Sequence, residues 1–519
     1  MKRRIATITM AVCLAVGMFT GCVKNENAGN GKMTIKWASV GAREENSVIE
    51  RYLEEKYDVN IDIISISSNY YEKLGAMIAS GEIPDVMFMN EIENWQPLAK
   101  QGVLAEIKME TVEKYAPKLV EEINKSEPKT WKVCQYEDVM YALPKYTGME
   151  YNSVAVWRQD WLDKLGVTKL PETIEEYEEV LYKISHGDPD GNGVNDTYGL
   201  TAWGNFAVGL FDKIFGAYGV MPEQWNLQDG KIVNGAVADG AKTVLEVLHR
   251  WYEKGIIDPE FITDTVSSEV QKFESGRLGL YFTDAANYVE EHPSGKPHFV
   301  AWAQRNPKAR FSIGSLPKGP DGKYGNFKWG LRTNFVVFGQ QVEEDVEKQA
   351  KIMTMLSDML FDEETAKKVT WGDFGVTYDY NDPEIGEASG FTYIGDYTNA
   401  DARAEYGIGY DSFFTMLRPL LSWGHESFTD KYNPPEIMQY YNTISQGGGY
   451  TDAILRAVLP SATQYEAELD KIRLVEHCAF ITGERNLDEW DEFVNEWYSA
   501  GGEILTKEAQ NYYDNVLNN

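Results

Sequence analysis

The 519-residue sequence holds four cysteines and six histidines. It has no apolar run of the roughly 20 residues needed to cross a bilayer. Each scarcity excludes something. So little cysteine does not make a disulfide framework, and no cysteine spacing matches a zinc site. The histidines (His186, His249, His292, His298, His425, His477) are scattered, as structural or surface residues are. Gly-x-Ser-x-Gly, His-Glu-x-x-His, phosphate-loop and Cys-x-x-Cys motifs are missing, and with them the common signatures of hydrolase, metalloprotease, nucleotide and redox chemistry. Positive charge is also short. Lys and Arg number 49 against 81 Asp and Glu, a formal net charge of −32. Such a surface repels phosphate backbones, so no nucleic acid is expected as a partner.

What is present starts at the N-terminus. Lys2, Arg3 and Arg4 precede an apolar stretch from Ile5 to Phe19, the pattern of a secretory signal. Phe19-Thr20-Gly21-Cys22 resembles the bacterial lipobox, whose cysteine becomes the lipidated first residue. Residues 1–21 are therefore expected to be a lipoprotein signal peptide. Residues 22–32, polar and rich in Gly and Asn, suit a flexible tether. With Cys13 in the signal and Cys22 at the anchor, only Cys134 and Cys478 remain. They fit two buried free thiols better than a pair closed across a long separation.

The next segment alternates strand and helix. Thr34 to Ala38 reads as a strand and Glu45 to Tyr57 as a helix. Val59, Ile61, Ile63 and Ser65 show period-two alternation, and Tyr70, Leu74, Met77 and Ile78 recur at helix spacing before Gly81. Pro84-Asp85 leads into a buried strand from Val86 to Met89. This order predicts a parallel α/β sheet. Further on, Thr173 and Glu176 have capping-box spacing ahead of the stripe Ile174, Tyr177, Val180, Leu181, Ile184. Strand-like sequence returns at Phe311 to Leu316 and at Leu331 to Phe338. The C-terminal part is mostly helical, with Trp490, Phe493, Val494 and Trp497 on one face.

Several segments together resemble family 1 extracellular solute-binding proteins, in particular the large lipoproteins of Gram-positive bacteria. They are Tyr71 to Val86 (YEKLGAMIASGEIPDV), Asp138 to Pro144 (DVMYALP), Trp157 to Gly166 (WRQDWLDKLG) with Pro171 and Thr173, Trp371 to Tyr378 (WGDFGVTY), and Leu487 to Phe493 (LDEWDEF). The resemblance implies an α/β, two-lobed periplasmic-binding-protein-like fold with an interdomain hinge and a helical C-terminal part. It places residues 33–146 and 311–371 in lobe 1, and 147–310 and 372–519 in lobe 2. Crossings are expected near Lys145–Asn152, Ala309–Ser315 and Trp371.

Asp188-Pro-Asp190-Gly-Asn192-Gly-Val194-Asn-Asp196 has the oxygen spacing of a calcium loop. Side-chain oxygens stand at positions 1, 3 and 5, a glycine at 6, a backbone carbonyl at 7 and Asp196 at 9. Position 12 is Gly199, not glutamate, and Thr197 stands where calcium-binding relatives carry an acid. A structural Ca2+ is expected.

The aromatic content, 14 Trp and 31 Tyr, suits a sugar site. Sugar C–H faces stack on aromatic rings, and sugar hydroxyls need carboxylate and amide partners. The candidates are Asn90, Glu91 and Trp95 after the third strand, Tyr146 and Tyr151 at the hinge, Tyr281 and Asp284 after a later strand, and Trp203, Trp329, Trp371, Asp373 and Trp423 in or beside Gly-containing loops. Trp161, Trp251, Trp490 and Trp497, on helix faces, read as core. The expected role is a lipid-anchored, monomeric substrate-binding component of an ABC importer at the extracellular face of the membrane. It would hold an oligosaccharide and dock on ABC permease subunits, with no catalytic residues. Alternatives are a sugar-presenting partner of a membrane sensor and, with less support, a glycoside hydrolase, whose chemistry needs two carboxylates across a cleft.

Overall fold

The computed structural model describes residues 31–40, 46–66, 68–126, 128–144, 153–204, 210–283, 308–328, 333–408 and 449–518. The signal segment and Cys22 lie outside them.

The first lobe opens as β1 (Met33–Val40), α1 (Val48–Tyr57), β2 (Val59–Ile66), α2 (Tyr70–Ala79) and β3 (Val86–Glu91). Ser47 starts α1 with a capping box completed by Glu50. Val59, Ile61 and Ile63 are buried as the alternation requires, but at the end of β2 the inward residue is Ile66 rather than Ser65. β1 lies between β2 and β3 and runs parallel to both. The sheet is nevertheless mixed. Strand Thr333–Phe338 pairs antiparallel with β3, and Ala142–Leu143 pairs antiparallel with that strand. Local alternation could not reveal this, because Thr333–Phe338 arrives from the other lobe.

In the second lobe Val154–Arg158 is the middle strand, antiparallel to Leu280–Thr283 on one side and Phe311–Gly314 on the other. All five of its residues are buried. Helices Ile174–His186, Asp239–Glu253, Ala462–Thr482 and Trp490–Trp497 contribute to the same core.

Two hydrophobic cores result. One gathers buried residues from Ile35 to Leu143 and from Phe335 to Ile408. The other gathers them from Ala155 to Phe327 and from Ile454 to Leu517. The partition differs from the sequence expectation in two places. Residues 311–328 belong with the second core, because Phe311–Gly314 completes its sheet. Residues 372–408 belong with the first, because Tyr378, Phe391 and Tyr393 close around Trp371. The stretch expected to cross at Ala309–Ser315 is thus a strand of lobe 2, and Trp371 lies inside lobe 1. The chain passes between cores after Leu143, after Phe327 and after Ile408. Leu455 and Val458 pack against both cores. Cys134 and Cys478 are buried, free thiols. Among the described residues no helix is long and apolar enough to cross a membrane.

Candidate functional site

The ends of the elements beside the crossings define where a cleft can lie. In lobe 1, Glu91 closes β3 opposite Thr333, the first residue of the strand that returns from lobe 2. Asn90 is exposed there and Glu91 half-buried. The Asn90 amide N–H donates to the Tyr71 hydroxyl at 2.6 Å, and its side-chain amide reaches Glu91 at 3.4 Å. Tyr71 is itself exposed, and spacing along α2 had not marked it as a site residue. In lobe 2, Thr283 closes its strand opposite Val154, the first strand residue after the first crossing. Trp203 lines a small hollow with Phe282, the residue before Thr283. Asn90, Glu91 and Trp203 therefore stand at the edges where the two lobes are joined.

Three other candidates sit differently. Trp95 is fully buried within the lobe 1 core, in a T-shaped contact with Phe335 at 5.9 Å between ring centroids. Trp371 is only 2% exposed and packs on Tyr393, with ring centroids 4.8 Å apart. Asp373 is tied to Lys368 and to the Tyr406 hydroxyl. Burial opposes its charge, but those two hydrogen bonds outweigh it and hold the carboxyl below its usual range. Tyr146, Tyr151, Asp284, Trp329 and Trp423 lie outside the described residues.

Around Trp203 the structure assembles residues that no motif announced. The indole N–H donates to the Glu269 carboxylate. The Lys213 ammonium stands 5.9 Å from the indole centroid and pairs with Asp212 at 2.7 Å. Asp212 in turn accepts the Phe327 N–H at 3.1 Å, just ahead of the second crossing. Burial pushes the Glu269 carboxyl up to about 7, against the pull of Trp203 and Lys213. The signal for Glu269 was present in helix Val266–Glu274: its buried stripe reads Glu269, Lys272, Phe273, with charges where apolar residues belong.

The Asp188–Asp196 loop folds inward. Asp188 accepts the N–H groups of Gly191, Asn192 and Gly193, each at 3.1 Å. The Asn192 amide lies 2.8 Å from an Asp190 oxygen and 3.0 Å from an Asp196 oxygen. Those side chains converge on one point, while Val194 points outward and is exposed. Among the described residues, however, no three or more His, Cys, Asp or Glu form a metal-holding group.

The family model for bacterial extracellular solute-binding proteins matches residues 38–341, more than half of the chain. The chain belongs to that family. Among curated relatives, the polygalacturonan/rhamnogalacturonan-binding protein YtcQ of Bacillus subtilis is 22% identical, over 98% of each chain. The fructooligosaccharide ABC transporter substrate-binding protein FusA of Streptococcus pneumoniae is 24% identical over 91% of this chain and 87% of its own. Among solved structures, an EF-hand mutant of the S. pneumoniae protein FusA in complex with fructo-nystose superposes with a TM-score of 0.63 at 20% identity. The match covers 93% of this chain and 99% of that one. The two-lobed α/β fold is thus the family fold, and this solute-binding protein is a binder rather than an enzyme.

Proposed function

We propose that this solute-binding protein is the lipid-anchored substrate-binding component of an ABC importer and captures an oligosaccharide between its lobes. The observation that carries the reading is the placement of Asn90 and Glu91 in lobe 1 and of Trp203 in lobe 2, on the edges that the crossings join. Polar groups on one side and an aromatic ring on the other are what a sugar needs. The relatives support the sugar class, since their names specify pectic polysaccharides and fructooligosaccharides. Tyr146, Tyr151, Asp284, Trp329 and Trp423 complete the proposed cleft. Trp95, Trp371 and Asp373 support it from within lobe 1. Cys22 anchors the chain at the extracellular face, and the monomer delivers its ligand to the permease subunits. Only a ligand that binds the closed arrangement better than the open one drives closure.

A structural Ca2+ held by Asp188, Asp190, Asn192, Asp196 and the Val194 carbonyl belongs to the same reading. The convergence of these side chains and the EF-hand of the FusA neighbour support it. Turning the Asn192 amide would present its oxygen, rather than its nitrogen, to the point of convergence.

A thermal-shift screen of the chain from residue 23, against pectic and fructan oligosaccharides with and without Ca2+, tests both. A glycan that binds at micromolar affinity raises Tm with its concentration and is recovered intact. Asp188→Ala should abolish the Ca2+ shift alone. A cleaved glycan would overturn the binding reading, and a Ca2+ shift that survives Asp188→Ala would remove the metal from this loop.

A further inference from the structure

Glu269 has geometry that a merely buried acid does not require. Its carboxylate accepts the N–H of Trp203, a half-buried indole at the joined edge of lobe 2. The groups that face it are committed elsewhere. Lys213, on helix Asp212–Ala217, pairs with Asp212 at 2.7 Å. Lys272, one turn along the same helix as Glu269, pairs with Asp258, Glu260 and Asp264 at 3.0, 3.0 and 2.6 Å. Asp264 and Asp212 add negative charge nearby, and Tyr281 approaches from strand Leu280–Thr283. Among the described residues no cation pairs directly with Glu269. A hollow of about 20 Å3 lies beside it, lined by Trp203, Lys213 and Phe282. That is room for about one water.

We propose that Glu269 is the positioning residue that aims the Trp203 ring at the ligand, and that neutralising its carboxylate loosens that ring. The inference rests on the reading of Trp203 as a wall of the sugar cleft. Its physical basis is the strength of the indole hydrogen bond. A charged acceptor binds an N–H about twice as strongly as a neutral one. The Trp203 backbone is held between buried Ala202 and buried Gly204, whose N–H donates to the Phe261 carbonyl at 2.8 Å, while the half-buried indole makes its side-chain hydrogen bond to Glu269. Because burial raises the Glu269 carboxyl to about 7, the stronger form of the hydrogen bond is the one present above that pH. Ligand affinity should therefore be higher at pH 8 than at pH 5.5, by roughly fivefold.

The test uses the chain from residue 23, which retains every residue of both cores. With 15N-labelled tryptophan, the Trp203 indole resonance is assigned through Trp203→Phe and followed with pH. In the wild type it should titrate with a midpoint near 7, and in the isosteric Glu269→Gln it should stay fixed. Affinities for trigalacturonate and kestose are then measured at pH 5.5 and 8. The wild type should lose about fivefold on acidification. Glu269→Gln should hold the weaker value at both pH values, and Glu269→Ala should bind more weakly still. A resonance that does not move, or that moves equally in Glu269→Gln, overturns the proposal. So does an affinity ratio unchanged by that substitution. If neither glycan binds while the resonance titrates, the positioning of Trp203 by Glu269 stands and the sugar reading fails for those two classes.

Discussion

Glu223 shows how a single buried acid sets a pH dependence. Its side chain is 6% exposed, and neither carboxylate oxygen has a hydrogen-bond partner among the described residues. Arg473 stands 3.8 Å away and also faces Asp470 at 3.5 Å. Burial dominates over that pairing and pushes the carboxyl from 4.5 to about 7. The sign follows from proton uptake. Between pH 4.5 and 7 the folded chain holds a proton that the unfolded chain has released. Stability from this group is therefore full below pH 4.5, declines as pH rises toward 7 and is flat above. Glu223→Gln should flatten that decline, read as a smaller difference in urea midpoint between pH 5 and pH 8. An unchanged difference would assign the pH dependence to other groups. Residue identity alone did not reveal such environments. Trp95 and Trp371 looked like cleft residues because polar groups adjoin them in sequence, yet Phe335, Tyr378 and Tyr393 enclose them in space. The neighbours come from distant segments, which local sequence does not show. His477 is likewise buried, stacked on Phe215 and bonded to the Ala236 carbonyl at 2.9 Å, the structural role expected of a scattered histidine.

Elements were more legible than sites, because their causes are local. Helix Ile174–His186 begins where Thr173 and Glu176 placed it. The Thr173 hydroxyl accepts the Glu176 N–H at 3.3 Å, and the Glu176 carboxylate accepts the N–H groups of Thr173 at 3.2 Å and Glu172 at 2.7 Å. Its stripe of Ile174, Tyr177, Val180, Leu181 and Ile184 is buried in full. Thr173→Ala should cost about 1 kcal/mol, seen as a lower denaturant midpoint at constant slope. A loss near zero would mean that the bridge from Thr173 to Lys318 alone fixes the start of the helix. Strand pairing resisted the same reading. Phe311–Gly314 alternates no differently from a lobe 1 strand, and only its partner, Val154–Arg158, assigns it to lobe 2.

At the scale of the molecule, the two cores let each lobe stay folded on its own, which is what the proposed closure on a ligand requires. Each has its own sheet and its own buried aromatics, Trp37 and Trp95 in one, Trp157, Trp161, Trp251 and Trp497 in the other. Burial therefore stabilises each lobe separately, while Leu455 and Val458 touch both. Stability that is local in this way gives separate cooperative units. Calorimetry without ligand should resolve two transitions. Leu53→Ala should lower the transition of the first lobe and Leu248→Ala that of the second, each by the 2–5 kcal/mol typical of a buried leucine. The two effects should add, since the sites share no core. A glycan that touches both lobes must be released before either unfolds, so saturating glycan should merge the two transitions into one at higher temperature. A single two-state transition in the ligand-free protein would mean that the contacts of Leu455 and Val458, with the crossings, already make the cores one unit. In that case opening would require bending within a single cooperative body rather than motion between two.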